Sequence, residues 1–116
     1  MNITKFREII AQRIYVEEIS CGEWDDGIEE CREKEIAILA EDIPSTIMFL
    51  KNDCTADEYS WISEVFEDVV ELVPSKELVC CYKELMVKFP EESAKYSIAE
   101  IVKGAEAILG WEEKHG

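Results

Sequence analysis

The stretch Thr55-Ala56-Asp57-Glu58-Tyr59-Ser60-Trp61-Ile62-Ser63-Glu64-Val65-Phe66-Glu67-Asp68-Val69-Val70-Glu71-Leu72-Val73 decides the fold. Thr55 followed by Glu58 reads as a capping box. The threonine hydroxyl accepts from the third backbone N–H, and the glutamate reaches back to the threonine's own N–H. Behind that start, Tyr59, Ile62, Phe66, Val69 and Val73 recur at helical spacing, with Val65 beside the stripe. The pattern predicts one helix from about Ala56 to Leu72. Projected at about 100° per residue, Asp57, Glu64 and Asp68 share the solvent side with Glu71 nearby, and Trp61 falls on the border between acid and core.

The same period extends in both directions. Phe6, Ile9, Ile10, Ile14 and Tyr15 predict a first helix over about Ile3–Ile19, punctuated by Cys21-Gly22. A second helix runs from Glu23 or Trp24 to Glu41. Ile28, Cys31, Glu35, Ile38 and Leu39 share its inner face, while Glu29, Glu30, Glu33 and Lys34 point away. Glu23, Asp25 and Asp26 suit the positive end of its dipole. Asp42-Ile43-Pro44 opens a third helix through Leu50 or Lys51. After Pro74, Ser75 caps a helix with Leu78, Cys81, Tyr82, Leu85, Met86 and Phe89 inward, closed by Phe89-Pro90. Ser97-Ile98-Ala99-Glu100 reads as a second capping box with Tyr96 and Ile101 as its staple. The last helix is expected to stop at Leu109, with Gly110 as terminator and Trp111 to Gly116 as a loose tail. Strand-type alternation is scarce. The expected fold is all-α: a single domain over residues 1–116, a bundle of five to six antiparallel helices stacked as hairpins.

Composition narrows the function. The chain has 116 residues, with 12 Lys and Arg against 27 Asp and Glu, for a formal charge of -15. A hydrophobic fraction of 47% can build a core, so charge does not make this chain disordered. Thirteen of the fifteen surplus negative charges fall in residues 21–80. Such a field steers a cationic partner and repels nucleic acid and anionic membrane surfaces. No apolar run approaches the roughly 20 residues of a membrane span, and the N-terminal residues lack a signal-peptide pattern, so a cytoplasmic protein is expected. The odd cysteine count (Cys21, Cys31, Cys54, Cys80 and Cys81) fits reduced thiols.

Catalytic and metal-binding patterns are missing. The one histidine is His115, and there is neither a Cys-x-x-Cys pair nor a glycine-rich phosphate loop. Asp53, Thr55, Asp57, Tyr59 and Glu64 echo a calcium loop, but Glu58 stands where its sharp turn requires glycine. Paired carboxylates lack the Glu-x-x-His of a di-metal bundle. The reading is therefore not an enzyme, with no cofactor and no metal.

What remains is an interface. Trp61 among Asp57, Glu64, Asp68 and Glu71 is an aromatic anchor in a ring of carboxylates, as contact with a basic protein requires. Trp24 with Asp25 and Asp26 repeats that chemistry, and Glu29 and Glu33 extend the acidic side of the second helix. The stretches Trp24–Cys31, Thr55–Asp68 and Lys88-Phe89-Pro90-Glu91-Glu92 resemble small helical bacterial immunity proteins of polymorphic-toxin and contact-dependent growth inhibition systems, over about residues 20–108. The resemblance implies a cytosolic antidote that binds the toxic domain of a cognate effector, often a nuclease. An acidic adaptor or regulatory module with no toxin partner is the competing expectation.

Overall fold

A computed structural model describes residues 1–20, 23 and 25–115, without the side chains of 111–115. Eight helices and no strand occur among the described residues: α1 Ile3–Ser20, α2 Asp25–Glu41, α3 Ile43–Asn52, α4 Ala56–Ser63, α5 Phe66–Leu72, α6 Lys76–Lys88, α7 Pro90–Lys95 and α8 Ile98–His115. The Cα radius of gyration is 13.9 Å, close to the roughly 13 Å of one folded domain of this length. Expected and observed helix counts differ at two places, the break between α4 and α5 and the added α7, each with a local cause.

The predicted long helix is two. Its start holds: Thr55 accepts from Glu58 N–H at 3.1 Å and Glu58 accepts from Thr55 N–H at 3.0 Å. The break falls at Glu64-Val65. Ser60 and Ser63 donate their hydroxyls to the carbonyls of Asp57 and Ser60, which competes with regular helix bonding. The last turn tightens, with Glu64 and Val65 donating N–H to the carbonyls of Trp61 and Ile62. Phe66 and Val69 re-enter the core after the break, so the apolar phase survives and conceals the interruption.

Pro90 closes nothing further than α6; as the first residue of α7 it opens a helix of its own, followed by Glu91 and Glu92 in the first turn. Ser97 is left-handed, with φ 52°. Glu100 N–H bonds the Ser97 carbonyl at 3.0 Å rather than its hydroxyl, so the second capping box is not formed. Gly110 does not terminate α8, which continues to His115.

The interior lies where the helices converge. The main pairings are α1 with α2, α5 with α8, α3 with α6, α6 with α8 and α2 with α5. Phe66 stacks on Tyr82 with ring centroids 3.9 Å apart, and Phe6 meets Phe49 edge-on at 5.4 Å. On α1, Tyr15 is 60% exposed, contrary to expectation. Val16 is inward instead, and Arg13 is buried among the apolar residues. Cys31, Cys54 and Cys81 are buried and Cys80 is exposed, all as free thiols. Among the described residues no helix is long and apolar enough to cross a membrane.

Candidate partner-binding site

The helix break, α1 and α2 meet around a set of charges. Arg13 lies on the buried stripe of α1 and reaches the end of α4. Its Nε and Nη2 donate to the two carboxylate oxygens of Glu64, both at 2.9 Å. This fork-to-fork geometry is the strong form of an ion pair, and the hydrogen bond to Glu64 raises the Arg13 pKa above its usual value. The Arg13 guanidinium also lies 5.1 Å from the centre of the Trp61 ring, and Glu17 adds a contact at 3.3 Å.

One helical face away, Arg32 of α2 bridges the break itself. Its Nη2 donates to the Glu64 carbonyl at 3.1 Å and to Asp68 at 3.2 Å, and Nη1 is 3.8 Å from Glu29. The carbonyl that α4 leaves open at its end is thus satisfied by α2. Arg7 of α1 donates its Nε to Glu58 at 2.9 Å. Arg7–Glu58 and Arg13–Glu64 each join residues 51 apart in sequence. Both partners advance by one and two-thirds turns in the same sense, so these parts of α1 and α4 run in the same direction.

Glu35 lies inside this frame. It is fully buried, and neither carboxylate oxygen has a hydrogen-bond partner among the described residues; Arg32 Nε is likewise buried and unpartnered. Burial, reinforced by the nearby Glu64 charge, pushes the Glu35 carboxyl up to about 8 against the opposing pull of Arg13 and Arg32. The group is neutral at neutral pH, which is the inexpensive way to keep a carboxyl out of water.

The ten predicted contact residues separate accordingly. Glu29, Glu64 and Asp68 converge on Arg32 and Arg13 and are already paired within the molecule. Trp61 is half-buried against the core, beneath Arg13. Asp25, Asp26, Glu33, Asp57 and Glu71 are exposed, and none has an ion pair among the described residues. Trp24 lies outside the described residues. Sequence reasoning placed Glu35 on the inner face but missed Arg13 and Arg32. The signal for Arg13 was available, since Phe6, Ile9, Ile10, Arg13 and Val16 share one phase.

The arrangement holds charge in internal ion pairs. Burial raises the Cys31 and Cys81 thiols and pushes Cys54 up to about 12, so they stay protonated. No group of three or more metal-ligating side chains is assembled among the described residues. A groove of about 650 Å³ runs between α1 and α2 past Lys5, Glu8, Lys34 and Glu41, and none of the ten predicted residues lines it. No protein-family model, curated protein or solved structure matches this chain.

Proposed function

We propose that this chain is an immunity protein: a cytoplasmic antidote that binds a cognate, basic, nuclease-type toxin domain through an acidic face and blocks it without chemistry of its own. One observation carries the reading. Asp25, Asp26, Glu33, Asp57 and Glu71 are exposed carboxylates with no ion-pair partner among the described residues, on a chain of net charge -15. Nuclease toxins are basic because they bind phosphates. Carboxylates free of internal partners can occupy those phosphate positions, and the excess charge accelerates encounter. Glu29, Glu64 and Asp68 take a supporting part: Arg13 and Arg32 hold them and Trp61 in place. The scaffold is a stack of helical hairpins, of which α1 on α2 is the first.

The test is co-expression with the protein encoded immediately upstream of this gene. Protection of growth, together with binding whose association rate falls steeply with added salt, supports the antidote. An upstream product that is neither bound nor harmful overturns it and leaves the acidic adaptor as the better reading.

A further inference from the structure

Six large apolar side chains are conspicuously exposed: Tyr15, Ile19, Met48, Leu72, Val87 and Tyr96. Four of them, Met48, Leu72, Val87 and Tyr96, fall singly on or beside separate helices, whereas the other two fall together. Tyr15 and Ile19 are one helical turn apart on α1, 60% and 54% exposed, and Ala11 one turn earlier is exposed too. The stripe points away from the core-facing Phe6, Ile9, Ile10 and Val16. Its surroundings are acidic. Arg7 and Arg13 are bound to Glu58 and Glu64, so two of the three bases of α1 are unavailable to this face. Glu8 and Glu18 flank the stripe, and Glu23, Asp25 and Asp26 follow directly where the chain turns into α2; all five are exposed with no ion-pair partner among the described residues.

We infer that the outward face of α1, with Tyr15 and Ile19 as anchors and Glu18, Glu23, Asp25 and Asp26 as its rim, is the main docking surface for a basic protein whose apolar recess is ringed by Lys and Arg. The inference rests on the acidic-antidote reading and relocates its centre from α4 to α1. Desolvated apolar anchors within a charged rim are how small interfaces gain both residence time and speed. A second copy of this chain is the wrong occupant on charge grounds, because it would bring carboxylates against carboxylates.

The experiment uses the intact chain and the purified upstream-encoded protein as probe. Tyr15→Ser with Ile19→Ser should dissociate at least about tenfold faster, and Glu18→Gln with Asp25→Asn and Asp26→Asn should associate more slowly at low salt; both sets are exposed, and unchanged thermal melts confirm folding. Wild-type binding that the Tyr15/Ile19 variant retains within about twofold overturns the α1 surface while leaving the antidote reading intact. No binding by the wild type overturns both. Sedimentation showing a wild-type dimer that the Tyr15/Ile19 variant loses would assign the face to self-association and overturn the basic partner.

Discussion

Tyr59 and Tyr82 exchange hydrogen bonds: each phenolic hydroxyl donates to the other residue's main-chain carbonyl at 3.1 Å, with the rings 4.7 Å apart. The pair ties α4 to α6 in the middle of the core, and burial raises both phenol pKa values. Removing one hydroxyl by Tyr59→Phe keeps the ring and its packing. The expected cost is about 1 kcal/mol, or a fall in Tm of about 4 °C, measured by thermal unfolding. Tyr82→Phe should cost about as much.

Arg13→Ala removes the fork that holds Glu64 and uncovers Trp61. Glu64 keeps some solvent exposure, so the loss is expected at about 2–3 kcal/mol rather than the larger value of a fully buried pair. Urea unfolding measures it. A loss under about 0.5 kcal/mol would place this bridge with ordinary surface pairs.

Glu35 makes stability depend on pH in a defined sense. Between the ordinary value of 4.5 and the folded value of about 8, the native chain holds a proton that the unfolded chain releases. For this group stability is greatest below about pH 4.5, falls by about 1.4 kcal/mol per pH unit as pH rises towards 8, and levels off above that. Glu35→Gln cannot ionise, so its urea midpoint should vary less between pH 5 and 8 than the wild type's. Equal slopes would show that Glu35 titrates normally.

Gly104 places a residue of poor helix propensity inside the continuous α8. A Cβ there would meet the carboxylate of Glu67, which is exposed and free to swing aside. Gly104→Ala is therefore expected to stabilise by about 0.5–1 kcal/mol. A destabilised variant would mean that Glu67 is held where it is.

Asp57→Lys with Glu71→Lys reverses two exposed carboxylates that have no ion-pair partner among the described residues. If the charge of α4 and α5 contributes to steering, association with the upstream-encoded protein slows at low salt and the difference shrinks at high salt. Stopped-flow mixing at two ionic strengths decides this.

The helical character was legible because apolar spacing and caps agree over most of the chain. Thr55 with Glu58, Asp42 before Pro44, and Ser75 before Leu78 all cap as their residue types dictate. The break at Glu64-Val65 was hidden because Phe66 and Val69 keep the phase of Tyr59 and Ile62 across it. Ser97 looked like a cap, but side-chain type does not reveal a left-handed backbone. The acidic face was readable as composition. Which acids are free was not, because Arg13 and Arg32 select Glu64 and Asp68 from elements 36 or more residues away.

The two bridges from α1 to α4 also set an order of events during synthesis. Arg7 and Arg13 leave the ribosome 51 residues ahead of Glu58 and Glu64. At about 5–20 residues per second, the first helix waits for several seconds before its partners exist. During that interval it can lean on α2, but its arginines have no carboxylate of α4 to meet. The nascent N-terminal hairpin is then the stage of biogenesis most exposed to chaperones and to premature capture by a binding partner, and the arrival of Glu58–Glu64 ends it.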